Sequence, residues 1–112
     1  MKLAEIRRFA LSLPEVTEEP HHHFSSFRVR GKIFVTVPPE SGHIHVFVSE
    51  PSREQALVLH PQFVEKLYWG GKACGIRVRL GAASPAAVKS MVRSAWANKA
   101  PKALAQSIRG EA

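Results

Sequence analysis

Residues 75–80 read Gly-Ile-Arg-Val-Arg-Leu, and this alternation constrains the chain more than any other feature. Successive side chains of a strand point to opposite faces, so Ile76, Val78 and Leu80 share one face and Arg77 and Arg79 the other. Such a strand needs an apolar layer beneath it and water above it. A sheet buried on both faces, with strands apolar throughout, is excluded. An antiparallel sheet with one open face is what remains.

The flanking sequence supplies the cover. Leu3, Ile6, Ala10 and Leu13 recur at spacings of three and four, predicting an amphipathic first helix that stops near Pro14. Ser84 as N-cap and Pro85 at the first helical position open a long last helix, with Val88, Met91, Val92 and Ala95 as its inward stripe. Pro101 ends or kinks it, and residues 102–109 add a short terminal helix.

Between these helices lie three β-rich runs. Phe24–Arg30 places Phe27 and Val29 on one side and Arg28 and Arg30 on the other. Gly31-Lys32 reads as a tight turn into Ile33–Val37, which Pro38-Pro39 halts, and Ile44–Ser49 completes an antiparallel meander. Glu15–Pro20 reads as an acidic loop. Ser52 with Gln55 forms a capping-box pattern opening a helix toward His60, and Gln62–Trp69 reads as a helical or irregular piece before a Gly70-Gly71 turn. The order predicts an α+β fold in which helices pack on one face of an antiparallel sheet. At 112 residues the expectation is one domain over 1–112.

The charge is lopsided. Sixteen Lys and Arg face nine acids, all Glu, for a formal net charge of +7. Residues 1–65 carry seven basic and eight acidic side chains, whereas residues 66–112 carry nine basic side chains and only Glu111. That asymmetry fits a polyanionic partner, nucleic acid first, and it equally fits charge kept for solubility. No apolar run is long enough for a membrane span, and charges interrupt the start where a signal peptide needs an apolar stretch, so the expected location is cytoplasmic. Cys74, the sole cysteine, cannot close an internal disulfide, and no disulfide-linked partner is expected.

Taken in order, Leu11-Ser12-Leu13-Pro14-Glu15, Phe27-Arg28-Val29-Arg30-Gly31-Lys32-Ile33-Phe34, Ile76-Arg77-Val78-Arg79-Leu80, Ala95-Trp96 and Ala100-Pro101-Lys102 resemble the MmcQ/YjbR family over almost the whole chain. The resemblance implies a CyaY-like α+β fold, a DNA-binding role through a double-wing motif, and no catalytic activity. Ala73-Cys74 stand where many members have a Gly-Trp pair, so a role carried by that tryptophan is not carried over.

The residues make their own case for nucleic acid. If the first and last strands share one sheet, Arg28, Arg30, Arg77 and Arg79 share its outer face. A planar guanidinium grips phosphate with two donors and stacks on a base. Lys32 and Lys72, in neighbouring turns, extend the patch. Outward charges on strands also serve as a solvated, edge-protecting face. Lys89 and Arg93, an i, i+4 pair on the last helix, read as a solvated helix face. The competing reading is a protein- or ligand-interaction module with a pocket between sheet and helices.

Other chemistry finds little footing. His21-His22-His23, His43 and His45 lack the spacing of zinc motifs and have only Cys74 to join them, so no metal site is assigned. Gly70-Gly71-Lys72 lacks the earlier glycine and following Ser or Thr of a phosphate loop. A frataxin-like iron site needs a row of carboxylates on the first helix, where Glu5 stands with Arg7 and Arg8. No cofactor is expected.

Overall fold

The alternating run is a strand, Lys72–Arg79, in a six-stranded sheet. The computed structural model describes residues 1–39 and 41–109. In chain order its elements are α1 (Leu3–Ser12), β1 (Val16–His21), β2 (Phe24–Val29), β3 (Lys32–Val37), β4 (His43–Val46), α2 (Glu50–Leu59), β5 (Val64–Trp69), β6 (Lys72–Arg79), α3 (Pro85–Lys99) and α4 (Lys102–Arg109), with a 3-10 turn at Leu80–Ala82. The strands lie in the order β1-β2-β3-β4-β6-β5, every neighbouring pair antiparallel. The fold is α+β, as the sequence predicts.

Cross-strand partners lie on the same face, so the register separates two rows. Phe27, Val35, Val46 and Ile76 stand opposite one another in succession and are buried under the helices. Ile6 and Ala10 of α1, and Val88, Met91, Val92, Ala95 and Trp96 of α3, belong to the same core. Helices α1 and α3 thus pack on one face of the sheet, and the Trp96 indole N–H donates to the Pro14 carbonyl at 3.0 Å, tying α3 to the end of α1. Ser84 caps α3, its hydroxyl accepting from the Ala87 N–H at 3.3 Å.

Two segments depart from the sequence expectation. Glu15–Pro20 is not a loop: residues 16–21 form an edge strand whose side chains are mostly solvent-facing, so no alternation of burial marks it, and Pro20 is tolerated at an edge. Gln62–Trp69 is not helical: residues 64–69 form β5, the other edge. Its buried residues Val64 and Leu67 sit three apart because they face opposite sides of the sheet, with a bulge after Leu67. That spacing imitates a helix. The second helix begins one turn earlier than its capping-box pattern indicates, with Ser49 at the N-cap and Pro51 in the first turn.

β6 meets the meander through β4 alone. Gly75 lies at that seam, where a Cβ would drive into the Val46 carbonyl oxygen and stand 3.1 Å from the Phe47 Cα. Only glycine allows the two backbones to approach this closely.

Candidate binding face of the sheet

The face away from the helices carries a polar row that crosses all six strands. Glu19, Ser26, Thr36, His45, Arg77 and Glu65 stand side by side, one from each strand. Alternation places Thr36, His45 and Arg77 there, each between apolar neighbours that must face the helices, and the register brings Glu19, Ser26 and Glu65 into line with them. His43 and Arg79 form a second pair on the same face, one step along β4 and β6.

The row is closed at the β1 end. Ser26 is fully buried, and its hydroxyl donates to the Glu19 carbonyl at 2.6 Å. Arg28 lies over it, donating from Nε to the Ser26 hydroxyl at 3.1 Å and from Nη2 to the Pro20 carbonyl at 3.2 Å, with the Glu19 carboxylate 4.0 Å away. The Phe24 and His45 rings meet 6.0 Å apart, across the strand that carries Thr36.

Toward β5 the row is less complete. Arg77 donates from Nη1 to Glu65 at 3.2 Å, and Arg79 donates from Nη2 to the Gln62 carbonyl at 2.6 Å. Among the described residues, the buried side-chain nitrogen and oxygen atoms without a hydrogen-bond partner are Thr36 Oγ1, His45 Nδ1 and Arg77 Nε. All three belong to adjacent members of the row. Burial holds the His45 imidazole below its ordinary pKa, and the positive charge of Arg77 and the neighbouring His43 push it the same way. Beside them, His43, Gln62, Phe63, Glu65, Arg77 and Arg79 line an open pocket of about 240 Å³.

The six sequence-predicted binding residues do not form one strip. Arg30 is not on β2: it occupies the β2–β3 turn with φ 47°, followed by Gly31 at 80°, and the turn is Arg30-Gly31 rather than Gly31-Lys32. Its guanidinium folds back onto Glu15 with two hydrogen bonds of 2.8 and 2.9 Å. This contact holds the Glu15 carboxyl below the usual carboxylate range, as Arg7 does for Glu18. Arg28, Arg77 and Arg79 do share the outer face, each already bonded within the chain.

Lys32 and Lys72 open β3 and β6 and are exposed. Because β3 and β6 both run antiparallel to β4, the two lysines lie at the same end of the sheet. The Arg30-Gly31 and Gly70-Gly71 turns beside them have both central residues at positive φ, the geometry that two-residue hairpins favour. The sheet therefore ends in a pair of hairpin tips flanking β4.

Elsewhere, Lys89 and Arg93 lie over the Phe9 ring, 5.9 and 5.5 Å from its centroid. A cleft of about 370 Å³ between α2, α3 and α4 includes Ser49, Ser52, Ser90, Arg93 and Ser94. His21 and His22 pack ring to ring at 4.7 Å, away from His43. Among the described residues, no three His, Cys or Glu side chains converge as metal ligands, and no helix is long and apolar enough to cross a membrane. Sequence reasoning missed the parts played by Glu15, Glu19, Glu65 and Gln62, which hold the arginines. All four lie in the two segments whose strands periodicity does not reveal.

An open-faced antiparallel sheet backed by helices, with two matched hairpin tips and a polar row, defines the structural class. The YjbR family profile matches residues 11–98, and the chain belongs to that family. Among solved structures it is similar to Deinococcus radiodurans protein DR2400, described as a DUF419 domain, at 18% identity and a TM-score of 0.73 over 87% of this chain and 77% of that one. No curated protein matches the chain.

Proposed function

We propose that this is a non-enzymatic protein that binds DNA through phosphate contacts largely indifferent to sequence. One observation supports the reading above the others. Among the described residues, of the basic side chains from 66 to 102 only Lys66 and Arg77 have a carboxylate within 4.0 Å. Lys72 and Arg79, at the hairpin tip and on the open face, have none among the described residues, and neither has Lys32 at the other tip. Uncompensated cations release condensed counterions when they meet a polyanion, and this drives non-specific binding.

The contact surface in this proposal runs from the hairpin tips, with Lys32 and Lys72, along the open face to Arg79. Arg28, Arg30 and Arg77 add less, because carboxylates or carbonyls already hold them. Random duplex DNA titrated at several salt concentrations tests the idea. Replacing Lys32 and Lys72 by Ala should flatten the slope of log affinity against log salt by roughly 0.9 for each phosphate that is no longer neutralised. Replacing Lys89 and Arg93 should leave the slope unchanged, since they lie on the helical side. Absence of binding by the unaltered protein at low salt would defeat the proposal.

A further inference from the structure

We infer that the pocket beside the polar row is a specific site for one phosphate monoester group, gripped by Arg77 and Arg79. The site is independent of the DNA reading. It rests on unused hydrogen-bonding capacity, whereas DNA binding rests on dispersed charge.

Buried polar atoms in folded proteins nearly always have partners, and an exception calls for an occupant. Here three exceptions fall on neighbouring strands, at Thr36, His45 and Arg77, and of these Arg77 lines the pocket. Arg77 spends only Nη1 on Glu65, which leaves Nη2 as its donor toward the pocket, while its unpaired Nε is buried. Arg79 spends only Nη2, on a neutral carbonyl, and has no carboxylate partner among the described residues. The two arginines are two residues apart on one strand face, about 7 Å, close enough for both to reach one oxyanion in the pocket they line.

Size and charge narrow the occupant. At about 240 Å³ the pocket lies below the roughly 300–1,000 Å³ that encloses a drug-sized molecule, so it accepts one group rather than a whole ligand. Glu65 offsets one of the two guanidinium charges. Net positive charge remains, and the unspent N–H donors of two guanidiniums outnumber the oxygens of a carboxylate and suit the three terminal oxygens of a phosphate monoester. A phosphate monoester carries about −1.5 to −2 near neutral pH, whereas a carboxylate or a backbone phosphodiester carries about −1. Ser41 also orients the site: its carbonyl lies 2.7 Å from His43 Nδ1, which as the donor of that contact carries a proton.

The monoester can come from a small molecule or from the 5′ end of a nucleic acid strand. Phenyl phosphate, acetate, and one short oligonucleotide with and without a 5′-phosphate, titrated into isotope-labelled protein and followed by NMR, separate the cases. Saturable shifts at His45, Arg77 and Arg79 with phenyl phosphate, and much weaker ones with acetate, are expected. A 5′-phosphate preference by the oligonucleotide would assign the source to strand ends, and indifference to a small molecule.

Arg79→Gln should weaken phenyl phosphate binding about ten-fold or more, and Arg77→Gln similarly. Lys32→Ala with Lys72→Ala should leave it unchanged while lowering DNA affinity. Equal binding of acetate, absence of saturation, or full affinity in Arg79→Gln overturns the site. Failure of phenyl phosphate to bind a protein that still binds duplex DNA condemns this inference alone. Phosphate binding without duplex binding condemns the DNA proposal alone.

Discussion

The β2–β3 and β5–β6 hairpins have the same turn geometry and point the same way, yet they carry their arginines differently. In the first, Arg28 is held by Ser26, Pro20 and Glu19, and Arg30 is held by both oxygens of Glu15. In the second, Arg77 and Arg79 each make one side-chain hydrogen bond. The difference comes from the neighbouring edge. β1 and the residue before it cover β2 with three glutamates in the six residues 15–20, whereas β5 offers β6 only Glu65. Identical residue types on equivalent strands therefore act as structural ties on one side and as available donors on the other.

The hairpins also differ in what they bury, and the largest predicted effect breaks the comparison there. Phe27 of β2 is fully buried, whereas Tyr68 of β5 is exposed. Phe27→Ala should cost about 3–5 kcal/mol in urea unfolding, a large fraction of the stability of a domain this size, while Tyr68→Ala should change it by less than about 0.5 kcal/mol. Similar losses for both would show that the second hairpin is as deeply integrated as the first. Gly75→Ala comes next, at about 3 kcal/mol, because the new methyl meets backbone that cannot swing aside as a side chain could. Amide exchange should then accelerate in β5 and β6 before it does in β1–β3.

A third test uses protons. His45 titrates below its ordinary value of 6.5 in the folded chain, so at mildly acidic pH the unfolded chain binds a proton that the native chain resists. Its contribution is fully present above pH about 6.5 and is lost as pH falls toward the folded pKa. His45→Gln should flatten the fall in melting temperature below pH 6.5, and an unchanged profile would mean that the row does not hold the imidazole neutral.

The smallest effect belongs to the exposed fork on Arg30. Glu15 and Glu18 have pKa values lowered from 4.5, so they stabilise above that pH and cease to as pH drops through their folded values. Glu15→Gln should slightly flatten the acid limb below pH 4.5 and blunt the sensitivity of the melting temperature to salt. A loss as large as that of Gly75→Ala would make the first hairpin's ties a main support of the fold.

Sequence carries the fold well where burial is one-sided. β6 alternates because it is a central strand with one wet face, and α3 announces itself through Ser84-Pro85 and its apolar stripe. The edges are illegible for the opposite reason. β1 faces solvent along most of its length, and the two buried residues of β5 serve different faces, so neither leaves a period-two signature. The candidate site inherits that gap. Alternation alone exposes Arg77 and Arg79, and it puts His43 and His45 on a shared side. The partners that hold or release the arginines lie on or beside the two strands that periodicity does not reveal. Arg30 is displaced by a single residue, because a two-residue turn can be drawn as Arg30-Gly31 or Gly31-Lys32 with similar turn chemistry.

The β4–β6 seam also divides the sheet by the sequence range of its contacts. β1 to β4 pair between sequence neighbours, as do β5 and β6, so each set closes over short loops and gains its contacts early. Joining the two sets brings together residues 43–46 and 76–79, separated by a whole helix and a strand, at a higher cost in chain entropy. By contact range the sheet is thus two pieces, a four-stranded meander and a hairpin joined along one long-range seam. The polar face spans that seam, with His45 on one piece and Arg77 on the other. Any substitution that loosens the seam therefore separates His45 from Arg77 and interrupts the polar row in its middle.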